Sequence, residues 1–445
     1  MIARVFQWRE LERWLPGGES SWEAAFPLVP LGDFLHRVVR PVDKSKRPLE
    51  SLNVIEKISF GGKLHVRNAK KVQGYKGPLF EALPGELIIS KIRVAQGSLC
   101  VVPETLEHLA VSAEYPTYKP DAKQVRLRYL NLLLRTPNFQ QLLCSSTSGN
   151  TTKKRLRPDD FEQVEIPLPE PNEQDQLLDS YEKALGKAAK LDADALALEQ
   201  RAIREFEAAL GLVPPPDLPR KPFQIVHSRD LDRWSHESAL QNSLLPPTAD
   251  NGLPTVTLGD YVEVTHGCGA SPSPRRTGLE VLKISAATRG EFRPTEKKFA
   301  FDRPEVRRRY DLRRGDVLLC RVNGTLAYVG MSALVEEDMP NLIFPDKLIR
   351  VRVKDDALMP DFLWRLLQLP NMRAQIESYA RTAVGNYAIG SSDIADFQIP
   401  LPQIKTQREL VKQLREARHK SATKRTEAAR LRSQAWADFL GAIFN

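Results

Sequence analysis

Apolar residues recur at helical spacing along two long stretches of this chain. From Leu177 to Ala202 they occupy every fourth and then every third position, a pattern that marks the contact seam of a coiled coil. The seam recurs 233 residues further on, from Leu410 to Ala435, where it is rich in Ala and Ser. The sequence therefore predicts two long helices, with the main seam residues Leu177, Tyr181, Leu191 and Leu198 in the first and Leu410, Leu414 and Leu431 in the second.

Residues with capping chemistry flank both stretches. Asn172 is predicted to cap the first helix, and Gly211, which a run of prolines follows, is predicted to end it. Thr406 and Glu409 have the spacing of a capping box at the start of the second helix. The helices are therefore expected to begin near residues 172 and 406.

Shorter apolar runs, bounded by turn residues, fill the rest of the chain. Helical spacing returns at Gln124–Leu143, with a break at Pro137, and at Phe362–Leu369. Mixed strands and helices of this kind predict an α+β fold. The runs of strand length are Leu87–Ser90, Leu99–Val102, Val262–Val264, Val317–Cys320 and Leu348–Val353.

The two halves of the chain repeat each other. Ile166-Pro167-Leu168-Pro169 reappears as Ile399-Pro400-Leu401-Pro402, and a long helical stretch follows each copy. A period near half the chain is too long for a solenoid, so each copy is expected to be one domain plus one helix. Other equivalent pairs are Gln174 with Gln407, Gly85-Glu86 with Gly315-Asp316, Gly149-Asn150 with Gly385-Asn386, and Leu31-Gly32-Asp33 with Leu258-Gly259-Asp260.

The repeat also places the expected boundaries. Residues 1–171 are predicted to form the first domain and residues 172–212 the first helix. A proline-rich, semi-rigid linker is expected at residues 213–222. Residues 223–402 then form the second domain and residues 403–445 the second helix.

The two predicted helices carry opposite charge. Residues 172–212 contain 9 acidic and 5 basic residues, whereas residues 403–445 contain 4 acidic and 10 basic ones. Matching seams with opposite charge favour pairing within one chain; the alternative is that each helix packs only on its own domain. An antiparallel pair would be about 60 Å long. It would hold two domains, related by a pseudo-two-fold axis, at opposite ends of a spacer.

Composition limits the class of protein. The net charge of +9 and the pI near 9.3 favour an acidic partner, of which nucleic acid is the commonest. No apolar run is long enough to cross a membrane, and the N-terminus lacks the apolar core of a signal peptide. The four cysteines are scattered, which is typical of a reducing compartment. A cytoplasmic protein without a membrane partner is expected.

No set of catalytic residues emerges from the sequence. Gly267-Cys268-Gly269 follows a predicted strand, but Pro272 and Pro274 exclude the helix that would bind a cofactor phosphate, so a turn is predicted. The chain has no phosphate-binding Gly-x-x-x-x-Gly-Lys-Ser/Thr loop, and its histidines lack metal-ligand spacing with cysteine. We therefore expect a chain that binds neither a metal nor a cofactor and that is not an enzyme.

Basic residues in loops, with hydroxyl, amide and aromatic neighbours, are the candidate DNA contacts, because such groups bind phosphates and base edges. The alternative is that these basic residues lie in solvated turns and do not contact DNA. The loops differ between the copies although the scaffolds match, which predicts an asymmetric target. The candidates of the first copy are Lys63, Arg67, Lys70, Lys71, Lys76, Lys91, Arg93, Asn150, Thr151, Thr152, Lys153, Lys154 and Arg155. Those of the second are Arg275, Arg276, Lys283, Arg289, Lys297, Lys298, Arg321, Asn323, Arg381, Asn386 and Tyr387.

With these features the chain resembles the specificity subunit of type I restriction-modification systems. The resemblance rests on the duplicated Ile-Pro-Leu-Pro with Gln174 or Gln407 behind it, and on the order of the repeated elements. It implies two target-recognition domains that each read a few base pairs of double-stranded DNA. It also implies docking of two methyltransferase subunits, which bring S-adenosylmethionine, and in some systems of a restriction and translocation subunit.

The expected function is therefore non-catalytic recognition of a bipartite DNA site. The alternative is a scaffold whose duplicated domains bind protein partners on a coiled-coil spacer. Absence of any DNA binding at low salt would favour that alternative.

Overall fold

The computed structural model describes residues 24–60, 62–68, 72, 75–145, 156–212, 253–269, 273–302, 304–383 and 385–444. These residues divide into two compact units. The first unit takes the described residues up to Leu191 and those from Thr426 onward, and the second unit runs from Asp192 to Arg425. Both long helices contribute to both units.

Proline begins most of the helices, as its fixed φ and missing N–H favour the first helical position. None of the described helices is both long and apolar enough to span a membrane. The helices are α1 (Leu127–Leu133), α2 (Pro137–Ser145), α3 (Pro158–Glu162), α4 (Pro171–Ala209), α5 (Pro304–Tyr310), α6 (Pro360–Leu366), α7 (Pro370–Tyr379), α8 (Ser391–Ala395) and α9 (Ile404–Ile443).

The first unit contains three sheets. Its strands are β1 (Leu28–Pro30), β2 (Leu35–Val38), β3 (Asn53–Ile58), β4 (Leu64–Val66), β5 (Phe80–Ala82), β6 (Leu87–Ile89), β7 (Leu99–Val101), β8 (Leu109–Val111), β9 (Thr117–Pro120) and β10 (Glu165–Pro167). One antiparallel sheet has the order β2-β9-β6-β7, a second has the order β4-β3-β8-β5 with β3 and β8 parallel, and β1 pairs with β10. The α-helices cover the first of these sheets through a core that includes Tyr129, Phe139 and Phe161.

The second unit repeats this topology. Its strands are β11 (Thr255–Thr257), β12 (Val262–His266), β13 (Glu280–Leu282), β14 (Lys297–Phe299), β15 (Val317–Cys320), β16 (Val322–Asn323), β17 (Ser332–Leu334), β18 (Leu342–Ile343), β19 (Leu348–Val353), β20 (Arg381–Ala383), β21 (Asn386–Ala388) and β22 (Gln398–Pro400). The order β12-β19-β15-β17 matches β2-β9-β6-β7, the parallel pair β13–β18 matches β3–β8, and β11 pairs with β22. A small sheet of order β16-β21-β20 completes the unit. The predicted α+β class and the internal duplication are confirmed.

The repeated Gly-Glu and Gly-Asp pairs hold a buried carboxylate beneath a turn. Glu86 accepts two hydrogen bonds from the guanidinium of Arg40, at 2.7 and 2.8 Å. Asp316 accepts two from Arg352, at 2.6 and 2.8 Å, and is 1% exposed. In each case the carboxylate also accepts a backbone N–H three residues back, from Leu83 or Arg313. These carboxylates are therefore structural.

The helix starts correct two sequence predictions. Helix α4 begins at Pro171, so Asn172 lies in its first turn rather than at its cap, and Glu173 accepts the backbone N–H of Glu170 instead. Helix α9 begins at Ile404, which places Thr406 inside the helix and excludes the predicted capping box. The local cap signals were misleading because Pro171 begins α4, and α9 begins at Ile404, two residues after Pro402.

The end of α4 agrees with the sequence. Gly211 has φ +65, its N–H binds the carbonyl of Ala208, and the N–H of Leu212 binds that of Glu207. Two such bonds around a left-handed glycine form a Schellman motif.

Segments of α4 and α9 pair within each unit. In the first unit, the ring of Tyr181 lies 6.3 Å from that of Trp436 and 5.8 Å from that of Phe439. In the second, Asp194 binds Lys424 at 3.2 Å and Glu199 accepts a hydrogen bond from Ser421 at 2.7 Å. Residue numbers rise along one helix as they fall along the other, so the pairing is antiparallel.

The seam residues lie on the packed sides of these helices. Leu177 and Tyr181 pack against the core of the first unit, and Leu410 and Leu414 belong to the core of the second. Leu191, Leu198 and Leu431 are half-buried.

Candidate nucleic-acid interface

A loop follows the same buried strand in each unit. Residues 90–98 connect β6 to β7, and residues 321–331 connect β15 to β17. The first basic residue of each loop makes an equivalent backbone hydrogen bond. The carbonyl of Lys91 accepts the N–H of Leu156, and the carbonyl of Arg321 accepts the N–H of Ile389. Gly97 and Gly330, both with positive φ, lie near the loop ends. The scaffold is therefore shared, while the side chains that it presents differ.

In the second unit, the loop contributes strand β16 to the small sheet with β21 and β20. Asn323 lies opposite Tyr387, and Thr382 lies on the other side of that tyrosine. Five candidates that are far apart in sequence are thereby brought together, namely Arg321, Asn323, Arg381, Asn386 and Tyr387.

The members of this group have different surroundings. Arg381 donates to the buried carboxylate of Asp393 at 2.9 Å, which offsets part of its charge. The Oδ1 atom of Asn323 accepts the backbone N–H of Thr325 at 3.0 Å and so shapes its own loop. Tyr387 is half-buried against the core, whereas Asn386 is exposed at the surface.

Arg321 lies near His266, the last residue of β12. Its Nη1 donates to the carbonyl of Asp346 at 3.2 Å. His266 Nε2 lies 2.9 Å from the hydroxyl of Ser391. Burial, and then the nearby Arg321, lowers the pKa of His266 below its usual value. His266 is therefore predominantly neutral at pH 7.

A second basic group of this unit surrounds β13 and β14. Lys297 is paired with Glu280 at 2.7 Å, and Lys283 lies 3.8 Å from Glu296. Both lysines are thus partly neutralised by acidic residues. Lys298, Arg275, Arg276 and Arg289 are exposed, and no carboxylate within the described ranges pairs with them.

In the first unit, two cations lie over one tyrosine. Lys44 is 5.6 Å and Arg67 is 5.3 Å from the ring centroid of Tyr75. Each cation also donates to a backbone carbonyl, Lys44 to Gly77 at 2.6 Å and Arg67 to Ile55 at 3.0 Å. Arg67 therefore has a structural role besides its predicted one.

Arg93 lies over the ring of Phe60, 5.9 Å from its centroid. The sequence analysis missed Phe60 and Lys44; an aromatic residue ahead of Gly61-Gly62 was the available signal for Phe60. Lys63 and Lys76 are exposed, and Lys91 is half-buried. Lys70, Lys71, Asn150, Thr151, Thr152, Lys153, Lys154 and Arg155 lie outside the described residues.

Across the described part of the chain, no cluster of three or more His, Cys, Asp or Glu residues could hold a metal ion. Burial raises the pKa of the Cys100 thiol to about 12 and that of Cys320 to about 11. These two thiols are therefore protonated at neutral pH and poor nucleophiles.

Three comparisons place this chain among known proteins. No family model matches it. It is 26% identical over 271 residues to the type I restriction enzyme EcoKI specificity subunit of Escherichia coli K12, a match that covers 61% of this chain and 54% of that protein. It is 23% identical over 285 residues to the StySPI specificity subunit of Salmonella potsdam, with 62% and 55% covered. The chain thus spans about half the length of the relatives that it matches.

A solved structure gives the same fold over nearly the whole chain. It concerns complex assembly and conformational transition of the type I R-M system, and one of its chains matches with a TM-score of 0.58 at 18% identity. The match covers 96% of this chain and 99% of that chain. At this identity the likeness concerns the fold. The resemblance to specificity subunits that the sequence indicated is confirmed.

Proposed function

We propose that this chain is the sequence-specific DNA-recognition subunit of a type I restriction-modification complex or a related methylation-based defence system. It reads an asymmetric bipartite site in double-stranded DNA and recruits methyltransferase subunits, which carry the S-adenosylmethionine and the catalysis. A restriction subunit joins the complex in systems that cleave.

One observation carries this proposal. The same buried strand and the same backbone bond present Lys91 and Arg93 in one unit and Arg321 and Asn323 in the other. A repeated scaffold with unlike polar side chains at equivalent loop positions suits a protein that reads two different half-sites. Similarity to two proteins named as type I restriction enzyme specificity subunits supports the same function.

The chemistry of the exposed residues fits DNA. Exposed cations such as Lys298 and Arg276 suit phosphates, which position a protein on the duplex. Asn386, with an amide that offers both a donor and an acceptor, suits a base edge.

The test is selection of duplexes from a random library by the purified full-length chain, followed by binding measurements at several salt concentrations. We expect a bipartite consensus and an affinity that falls steeply with salt, by about 0.9 logarithmic units per decade of salt for each phosphate contact. Lys298→Glu should weaken binding to all sequences, whereas Asn386→Ala should relax one half-site. Selection without any preferred sequence would refute the proposal.

Sequencing of methylated bases in cells with and without this gene is a second test. We expect one bipartite motif to lose methylation when the gene is removed. An unchanged methylation pattern would contradict a role in methylation-based defence.

A further inference from the structure

Phe60 and Arg93 form an exposed pair on the first unit. The Phe60 ring is 56% exposed, and Ile92, the neighbour of Arg93, is 46% exposed. No carboxylate in the described part of the chain pairs with Arg93, so its guanidinium contacts the Phe60 ring and solvent. An exposed aromatic ring beside an arginine without an acidic partner is a combination that recurs where proteins stack on or bind polar planar groups.

The backbone holds this pair in place. Gly97, with φ +83, lies so close to Phe60 that a Cβ atom there would be 2.4 Å from the Phe60 carbonyl oxygen. The hydroxyl of buried Ser98 donates to the carbonyl of Ile58 at 3.1 Å. At Gly62, a Cβ atom would lie 2.8 Å from the carbonyl oxygen of Leu99. The loops that carry Phe60 and Arg93 are thus in contact through glycines, which brings the backbones of the two loops close together.

The charges that act on Tyr115 give further evidence about the surroundings of Arg93. Burial raises the pKa of Tyr115, and the positive charges of Arg67 and Arg93 oppose that rise. Arg67 and Arg93 are therefore both within electrostatic range of Tyr115, as is the acidic Glu114.

The second unit has different chemistry at the equivalent position. Asn323 follows Arg321 by two residues, as Arg93 follows Lys91. Its Oδ1 is held by the N–H of Thr325, so this side chain turns toward its own loop. The position of Arg93 is therefore one where the two units differ in what they present to solvent.

We propose that Arg93 reads a guanine in the major groove of the half-site that the first unit binds, with Phe60 as the platform that orients its guanidinium. This inference rests on the proposed function. The planar guanidinium donates two parallel hydrogen bonds, which match the O6 and N7 acceptors of guanine. The contact with the Phe60 ring, 5.9 Å from its centroid, leaves N–H groups of the guanidinium for these bonds.

The experiment compares duplexes selected by the full-length wild-type chain, Arg93→Ala and Phe60→Ala. The wild-type consensus should contain a guanine whose preference Arg93→Ala lowers by about tenfold to a hundredfold, while other positions are unchanged. Phe60→Ala should weaken preference at the same guanine to a smaller extent. Arg128→Ala is the matched control, because it removes an exposed arginine of the first unit that is not a candidate DNA contact, and it should leave this guanine unaffected.

A second measurement uses the wild-type chain and its selected duplex with 7-deazaguanine at that position. Loss of N7 should weaken wild-type binding and should have no further effect on Arg93→Ala. The measurement on the wild-type chain tests the proposal even if a variant folds poorly. Circular dichroism and thermal unfolding will show whether each variant is folded.

The outcomes separate the two proposals. A wild-type consensus that Arg93→Ala leaves intact, with equal weakening of all sequences, would make Arg93 a phosphate contact and overturn the inference alone. Relaxation at a base other than guanine, or wild-type binding that tolerates 7-deazaguanine at each guanine of the consensus, would also overturn it. A wild-type chain with no sequence preference would refute the proposed function itself.

Discussion

The side chain of Gln407 holds the backbone of Met359. Its Oε1 accepts the Met359 N–H at 2.8 Å, and its Nε2 donates to the carbonyls of Ala357 and Pro402 at 2.7 and 2.8 Å. The side chain is fully buried. Gln174 repeats the arrangement in the first unit with Arg126, Gln124 and Pro169, at 2.7, 2.8 and 2.8 Å. The repeated glutamine thus ties each long helix to the last proline of Ile-Pro-Leu-Pro and to the loop before a core helix.

Replacement of this glutamine should destabilise the second unit. Gln407→Ala removes the hydrogen-bond partner of the Met359 N–H and of the carbonyls of Ala357 and Pro402, and each of these groups that stays shielded from water costs about 1–3 kcal/mol. We expect a loss of about 3 kcal/mol or more in the free energy of unfolding, measured by urea denaturation. Gln413→Ala, at an exposed position of the same helix, is the control. Equal stability of the two variants would show that the glutamine does not hold the helix start.

The buried carboxylate of Asp316 should also contribute strongly to the stability of the second unit. Asp316→Asn leaves the guanidinium of Arg352 without its counter-charge, which typically costs about 3–5 kcal/mol at a buried pair. Thermal unfolding measures the loss, and Asp356→Asn, at an exposed position, serves as the control. Addition of Arg352→Gln to Asp316→Asn should restore part of the stability, because the uncompensated charge is then absent. No recovery in the double variant would argue against an electrostatic origin.

The ion pair between Asp194 and Lys424 should contribute a small amount to the free energy of helix pairing. Asp194→Lys places two cations together and should lower stability, and Lys424→Asp in the same chain should reverse the change. Because both side chains are partly exposed, the coupling free energy in a double-mutant cycle should be about 0.3–1 kcal/mol. It should shrink in high salt. A coupling of zero would mean that the apolar seam alone fixes the register.

Glu207 should make stability depend on pH. Its side chain is 4% exposed, its Oε1 has no hydrogen-bond partner among the residues that the structure describes, and burial raises its pKa above 4.5. A carboxyl with a raised pKa binds its proton more tightly in the folded than in the unfolded state. The ionised form therefore destabilises the fold at pH 7, and this cost disappears as the pH falls through the raised pKa toward 4.5.

The variant Glu207→Gln removes the charge and keeps the shape. Its melting temperature should exceed that of the wild type by a few degrees at pH 7, and the two should converge as the pH approaches 4.5. Glu205→Gln, on the same helix at an exposed position, should show no such convergence. A lower melting temperature for Glu207→Gln at pH 7 would contradict the assignment.

The sequence predicted the inner strands and the long helices correctly. Runs such as Val317–Cys320 are apolar on both faces because both faces are buried, and that signal lies within four residues. The seam of α4 is likewise local, since every turn repeats it. The helix starts were wrong because Pro171 and the tertiary hydrogen bonds of Gln174 act where local capping by Asn172 was expected.

The candidate site could be predicted only as a set of loops. Whether a cation remains available depends on partners that are remote in sequence. Lys297 is matched by Glu280 and Arg381 by Asp393, while Arg93 lies on Phe60. No spacing rule relates such residues, because sheet pairing and loop contacts bring them together.

The sequence by itself therefore determined the duplication, the α+β class and the two long helices, because helix and strand spacing is set by neighbouring residues and the repeat is visible when the two halves are compared. The sequence favoured pairing of the two helices, but the contacts between them are seen only in the tertiary structure. Only the tertiary structure decided the roles of the repeated polar residues. Glu86, Asp316, Gln174 and Gln407 look like surface residues in the sequence, yet each is buried and bonded. The physical reason is that a polar group can be buried only where the fold supplies its hydrogen-bond partners, and those partners come from other elements.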